Sequence, residues 1–379
     1  MLIPSQRALF DLPDDVAYLN CAYQSPLLHT VRAAGERGVA AKQRPWEVGP
    51  SDFFEPVESV RGRFARLIGA SADDIALVPS VSYGISVAAT NLDVPEGDSI
   101  LLLAEQFPSN VYTWRNLARS RGANLVTVHR PRDGDWTRTV LAYLKPSVCA
   151  VALPPNHWTD GGQLDLVAIG ERCREVGAAL ILDGTQSFGA AHFQVGEVQP
   201  DFAVCAAYKW LLGPYSAAFL YAAPHRQDGE PIEHNWINRA GSEDFAGLVD
   251  YTDAYRPGAR RYDVGEVSNF ILIPMMDAAL AQLEAWGVEN VAETLRATTS
   301  GIAARARALG LEAPPDAHRA PHMLGLRFPS GLPDGIAAAL KAAGVYLSVR
   351  GDNLRVSPHL YTTDGDVDRL FAVLEQFAR

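Results

Sequence analysis

Lysine is scarce in this chain: of 33 basic residues, only Lys42, Lys145, Lys209 and Lys341 are lysine. Positive charge is otherwise written as arginine. A lysine kept in the apolar stretch AVCAAYKWLLGPYSAAFLY suggests a task that a guanidinium cannot perform. A desolvated ammonium can lose its proton and attack a carbonyl, so Lys209 suits a Schiff-base nucleophile. A lysine that snorkels from a strand end or pairs with a carboxylate would look the same in isolation. Upstream, ILDGTQSFG places Asp183 at the end of an apolar strand with Gly184 and small polar residues behind it. A carboxylate there faces the ligand crevice, although a helix N-cap or a metal ligand fits the position equally well. Third, IALVPSVSYGISVAATNL turns through Ser80, Ser82 and Gly84 into a helical pattern. Amides and hydroxyls at a helix N-terminus suit a phosphate dianion, with ordinary N-capping as the plainer use of the same serines.

These groups need a scaffold that brings strand ends together. From about residue 57 to 223, the short apolar runs IALVPS, SILLLAE, NLVTVHR, VCAVALP, AALILD, FAVCAA and SAAFLYA read as buried strands. Between them YGISVAATNL, SNVYTWRNLARSRG, TRTVLAYLK and DLVAIGERCREVG carry helical spacing. The alternation predicts a mostly parallel sheet covered by helices on both faces, with ligands beyond the carboxyl ends of its strands. Near residue 225 the pattern breaks, and HRQDGEPIEHNWINRAGSEDFAGLVDYTDAYRPGARR reads as an irregular excursion lying over the site. A strongly helical stretch then leads to MLGLRF, VYLSVRG and NLRVSPHLY, read as strands of a small α+β domain closed by a helix over DVDRLFAVLEQFAR.

Pyridoxal phosphate needs an acidic partner at its pyridine nitrogen, because a protonated ring draws electrons from the substrate's Cα. An amine for its aldehyde, that carboxylate and a phosphate site are the three features above. In this order they resemble the class V aminotransferase family, of the aspartate-aminotransferase fold, over nearly the whole chain. The family's segment D-x-x-Q-S-x-G, then a lysine preceded by His or Tyr, then G-P, is met by Asp183, Gln186, Ser187, Gly189, Tyr208, Lys209, Gly213 and Pro214. The resemblance implies an α/β chain of fold type I, a pyridoxal-phosphate-dependent transferase fold. Its large domain, residues 20–255, would carry a mostly parallel seven-stranded sheet, and 1–19 with 256–379 would form the small α+β domain.

Other positions follow from the same resemblance. EQFPSNVYTW is similar to the segment whose ring stacks on the cofactor, which nominates Phe107; Phe-Pro there is similar to kynureninases, whereas cysteine desulfurases carry histidine. Ser82 falls where the family binds phosphate, with neighbouring amides at Tyr83 and Gly84, and Tyr208 is the expected phosphate-binding residue before the lysine. Gln186 is expected to hydrogen-bond the cofactor's phenolic oxygen or the Schiff-base region. Trp158 stands where desulfurases place an asparagine, so that oxygen loses a donor or gains an indole N–H, and Ala206 replaces a common phosphate-binding serine. NLRVSPHLY resembles the L-R-x-S segment whose arginine clamps the substrate α-carboxylate, here Arg355. GARRYDVGEVSN resembles the loop that reaches the partner subunit's phosphate site, with Ser268 and Asn269 as candidates, and EHNWINR resembles a kynureninase segment that nominates Trp236, with His234 and Asn235 beside it.

The resemblance implies an enzyme in which Lys209 holds the cofactor, then serves as base at Cα while Asp183 keeps the ring protonated. An amino-acid transaminase or a Cα/Cβ lyase is expected, with a kynureninase-like hydrolase or an epimerase as alternatives and a non-catalytic cofactor-binding sensor as a further one. A desulfurase with its own persulfide cysteine is disfavoured, since no cysteine follows Cys205. No Gly-x-Gly-x-x-Gly follows the first strand, and Ser187 lacks the glycine two before it that a nucleophile elbow requires. At 379 residues the chain can bury a large core, and a net charge of -11 argues against nucleic acid or an anionic membrane as partner. The N-terminus carries no targeting pattern, and no apolar run approaches the roughly 20 residues of a membrane span. Cys21, Cys149, Cys173 and Cys205 show no metal or disulfide spacing. A cytoplasmic enzyme without metal is expected, and the family implies a homodimer with active sites at the interface.

Overall fold

The structure, a computed structural model, describes residues 1–378. Its strands are β1 (Ala17–Tyr18), β2 (Ile75–Val78), β3 (Ser99–Leu103), β4 (Asn124–Val128), β5 (Val148–Leu153), β6 (Ala179–Asp183), β7 (Phe202–Ala206), β8 (Ala218–Ala222), β9 (Leu324–Arg327), β10 (Val345–Tyr346), β11 (Ser348–Arg350) and β12 (Asn353–Val356). The helices are α1 (His29–Ala41), α2 (Ser51–Ile68), α3 (Val81–Thr90), α4 (Tyr112–Arg121), α5 (Trp136–Tyr143), α6 (Leu166–Val176), α7 (Val195–Val198), α8 (Leu272–Trp286), α9 (Val288–Ala308), α10 (Ile336–Ala342) and α11 (Asp364–Phe377).

Each of the seven apolar runs forms a strand, and together they make one sheet in the order β2-β8-β7-β6-β5-β3-β4. The strands from β7 to β4 run parallel, while β8 lies antiparallel to both β7 and β2. Every residue of β2, β6, β7 and β8 is buried, as strands covered on both faces must be. The two-residue alternation of a strand divides their side chains between two cores. Leu101 and Leu103 pack with Val60 and Phe64 of α2, Ile169 of α6 and Leu280 of α8. Ile100 and Leu102 point the other way, against Ile85 and Ala88 of α3 and Trp114 of α4.

A second layer rests on the antiparallel sheet β11-β12-β9 and the parallel pair β1-β10. Its core joins Ala17 and Leu19 near the N-terminus to Ile302 and Ala306 of α9, Leu324, Leu354, and Leu370 and Leu374 of α11. Helix α8 packs on α1 and α2, so its apolar face belongs to the larger core. The excursion after residue 225 contains only short 3-10 turns at Pro224–Arg226, Gly247–Val249 and Gly258–Tyr262.

The catalytic side of the sheet is set by topology. Connections leave β3 and β5 in opposite directions, and the crevice at such a switch point lies beyond the carboxyl ends of the strands. Segments following β3, β5, β6 and β7 all contribute to one cavity there.

Candidate active site

Asp183 is the last residue of β6 and caps the turn that follows, its Oδ1 accepting the Thr185 N–H at 3.1 Å. It is 7% exposed. Burial raises its carboxyl above the usual carboxylate range, against the pull of the Thr185 hydrogen bonds and of Lys209. Lys209 follows the adjacent strand β7 on a tight loop that closes through Ala207 N–H to Ala217 O at 2.9 Å and Gly213 N–H to Ala207 O at 2.8 Å. Leu212 and Ser216 hold positive φ of 57° and 63° in that loop. The Lys209 side chain is 6% exposed, with Nζ 5.4 Å from the Phe107 ring centroid and 5.5 Å from that of Tyr208. Desolvation lowers its ammonium to about 8; Asp183 opposes the shift, and Arg355 and Arg350 reinforce it. The lysine thus keeps a substantial unprotonated fraction near physiological pH, which an ordinary lysine does not.

One end of this cavity of about 250 Å³ is built for an anion. Ser80 is the N-cap of α3 and accepts the Tyr83 N–H at 3.2 Å, with its Oγ 3.0 Å from Ser82 Oγ. Ser80, Val81 and Ser82 line the cavity where the amides and dipole of a ten-residue helix converge. Gly84 lets α3 approach so closely, since a Cβ there would lie 2.7 Å from Val204 Cγ1. Tyr208 lines the same end, its ring 4.5 Å from that of Tyr215, with Ser216 beside them.

Arg355 of β12, 1% exposed, lines neither this cavity nor the next and meets the cavity wall through Trp158. Its Nη1 donates to the Trp158 carbonyl at 3.0 Å and its Nη2 to Ser348 Oγ at 3.5 Å, while Nε has no partner. Among the described residues no carboxylate pairs with it. Burial pushes its guanidinium down to about 9, with Arg350 acting in the same sense. Such a cation is prepared for an incoming carboxylate. Trp158 links Arg355 to the cavity, its ring edge-on to Phe107 at 5.5 Å and 84°. Beyond it opens a second cavity of about 1090 Å³, which shares Gln106 and Trp158 with the first.

The structure therefore brings Asp183, Lys209, Phe107, Trp158, Gln186, Tyr208 and Ser82 to one cavity. Two of them differ in detail from expectation. The Trp158 indole N–H donates to Glu105 O at 2.7 Å and so is not directed at a cofactor oxygen. The Gln186 amide is spanned by Ala22 O, which accepts Nε2 at 2.9 Å, and by Trp210 Nε1, which donates to Oε1 at 2.9 Å. Only one of its N–H groups remains to meet a ligand.

Other candidates lie elsewhere in this chain. The Tyr83 ring is outside the cavity, where burial and Glu233 raise its hydroxyl. Trp236 packs in an aromatic cluster with Phe53, Phe54 and Phe245, and none of residues 225–261 lines the cavity, so the excursion does not cover it. His234 meets Tyr255, and Asn235 accepts the Asn238 N–H. Asn269 Oδ1 accepts the Leu272 N–H at 2.9 Å, and Ser268 Oγ donates to Phe53 O. Sequence reasoning also passed over Thr185, Ser216 and Arg350. Thr185 could have been found inside the D-x-x-Q segment, whereas nothing local distinguishes Arg350 from a surface arginine.

The family model for class V aminotransferases matches residues 42–370. An uncharacterised aminotransferase of Bacillus subtilis (strain 168), YcbU, is 28% identical over 82% of this chain and 81% of its own length. A kynureninase of Deinococcus radiodurans is 31% identical over 73% of this chain and 67% of that protein. Among solved structures, the apo cysteine desulfurase of Thermococcus onnurineus NA1 superposes with a TM-score of 0.85, covering 100% of this chain and 99% of that one at 18% identity, a likeness of fold.

Proposed function

The chain belongs to the class V aminotransferase family, and on that premise we propose that it acts on an α-amino acid with pyridoxal phosphate, as a transaminase or a Cα/Cβ lyase. One observation carries the reading. A buried lysine of lowered pKa and a buried carboxylate leave adjacent parallel strands into one cavity, and beside it lies a buried arginine that no carboxylate among the described residues pairs. The residues fit the cofactor. Asp183, which accepts from Thr185 alone among the described residues, is a carboxylate in want of a positive partner, and the Ser80–Ser82 turn offers hydroxyls and a helix N-terminus to a phosphate.

When bound, pyridoxal phosphate supplies an aldehyde to amines and a ring that draws off the electron pair left at the substrate's Cα. Lys209 Nζ is the amine that holds the aldehyde. When not holding the aldehyde, the same Nζ would be the base that takes the substrate's Cα proton, its lowered pKa leaving it partly unprotonated near pH 8. Asp183 holds a proton on the ring nitrogen. Phe107 would pack on the ring, Ser82 and Tyr208 would bind the phosphate, Trp158 would wall the site and Arg355 would receive the α-carboxylate. Cleavage at the side chain, as a lyase or hydrolase, is favoured as a second reading by the larger cavity beyond Trp158, which leaves room for a bulky substituent. Among the described residues no cysteine lines either cavity, which weighs against a persulfide carried on the enzyme's own cysteine.

We place the enzyme in the cytoplasm, on its four unpaired thiols, and as a homodimer. Support for the dimer comes from the mouth of the cavity, where Tyr215 is 65% exposed against Tyr208. Among the described residues Lys209 is the only cation lining the cavity, so a phosphate there would take a further positive partner from a second copy.

The test is the visible spectrum of the protein with pyridoxal phosphate, followed by borohydride. Cofactor fixed irreversibly to the wild type but not to Lys209→Ala supports the reading; equal fixation in both overturns it.

A further inference from the structure

The segments that follow β3, β4 and β5 meet beside the larger cavity, and one side chain ties all three. Arg130, two residues after β4, sends Nη1 to Asp160 and Nη2 to Thr159 Oγ1 at 3.0 Å and to Glu105 Oε2 at 3.3 Å. His157 Nδ1 lies 3.2 Å from the same Nη2 and 2.8 Å from Thr159 Oγ1. The other ring nitrogen of His157 is 3.1 Å from Ala104 O, which can only accept, so the proton belongs on Nε2 and Nδ1 accepts. His157 is fully buried and stacks on Trp136 with ring centroids 5.3 Å apart and planes at 5°, and the Arg130 guanidinium lies 5.3 Å from the same indole centroid.

This knot holds Trp158 from both sides. Its neighbours His157, Thr159 and Asp160 are all bound to or against Arg130, and its indole N–H is held by the carbonyl of Glu105, whose side chain Arg130 also holds. Glu105 keeps a positive φ of 56°, a backbone state that persists only where surroundings enforce it. Trp158 in turn presents its own carbonyl to Arg355 Nη1 and its ring to the Arg355 guanidinium at 5.9 Å. Arg130 itself does not line the cofactor cavity.

We propose that Arg130 is a positioning residue for carboxylate recognition: by fixing the 157–160 loop it sets the Trp158 carbonyl and ring against which Arg355 is aimed. The inference rests on the reading of Arg355 as the carboxylate clamp and Lys209 as the cofactor lysine. It separates two functions of the site, since loss of Arg130 disturbs recognition of the carboxylate while leaving the amine that captures the cofactor in place.

The separation can be measured without knowing the substrate. Aminooxyacetate and methoxyamine both displace the lysine from the cofactor, but only the first carries a carboxylate, so the ratio of their rates with the holoenzyme reads the clamp. Arg355→Met sets the floor of that ratio. Arg130→Met is expected to lower the ratio by about tenfold, the worth of one charge-assisted hydrogen bond, with the methoxyamine rate and borohydride trapping unchanged and with part of the ratio restored in Arg130→Lys. A ratio within about twofold of wild type in Arg130→Met overturns the inference. So does a fall in both rates together, the signature of a merely structural staple. A wild-type ratio no higher than that of Arg355→Met overturns the reading of Arg355, and absence of trapping in the wild type overturns that of Lys209; in either case the inference falls with it.

Discussion

Lys209 has a pKa of about 8 because its ammonium is desolvated, with Asp183 only partly restoring it. The sign of the resulting pH dependence is fixed. Below that value Nζ is protonated and cannot attack an aldehyde, so capture of pyridoxal phosphate by cofactor-free protein is expected to slow about tenfold per pH unit, and to level off above it. Stopped-flow absorbance on either side of pH 8 checks this, and a midpoint near that of free lysine contradicts it. Asp183→Asn is expected to keep capture at Lys209 but to lose turnover by ~10²-fold, the scale on which a preorganised electrostatic group acts. Equal kcat in the two proteins would remove Asp183 from the ring nitrogen. The residue types and spacing of Asp183, Gln186 and Lys209 were legible in the sequence. The availability of their neighbours was not: the Gln186 amide is spanned by Ala22 and Trp210, and the Trp158 indole by Glu105.

At the level of elements, α3 must bring its N-terminus to the cavity, and Gly84 makes that approach possible against Val204 of β7. Gly84→Val is expected to overpack this contact, lowering stability by about 1–3 kcal/mol and weakening cofactor binding as the helix end moves outward. Thermal melting and cofactor titration read the two effects, and a variant that melts earlier yet binds as tightly would detach phosphate capture from the seat of α3. The strands were readable because a sheet covered on both faces demands continuous apolar runs. Their partners were not: nothing in SAAFLYA announces that β8 reverses direction between β7 and β2, since pairing depends on where the chain returns from.

Across the molecule, distant segments are joined by charge inside the core. Arg61 of α2, fully buried, forks onto Asp263 at 3.1 and 2.7 Å, and Asp263 Oδ1 also accepts the Leu77 N–H of β2 at 2.7 Å. Asp263→Ala removes the forked partner, leaving the buried guanidinium with Glu58 at Nε and the Ile75 carbonyl, and leaving the Leu77 N–H without its acceptor; it is expected to cost about 3–5 kcal/mol in denaturant unfolding. A loss below about 1 kcal/mol would mean that Arg61 finds water. The break near residue 225 and the helical stretch after it were visible as changes in periodicity. That α8 serves the larger core and that Trp236 lies in an aromatic cluster off the cavity were not. By itself the sequence determined the class of the fold and the order of the lysine, carboxylate and phosphate-site segments, because strand-helix alternation and short motifs are local properties of a chain. Tertiary structure alone decided which polar groups stay free for a ligand and that Arg355 stands buried without a carboxylate. The physical reason is that desolvation and hydrogen-bond satisfaction are set by atoms far away in sequence, such as the Trp158 carbonyl that faces Arg355.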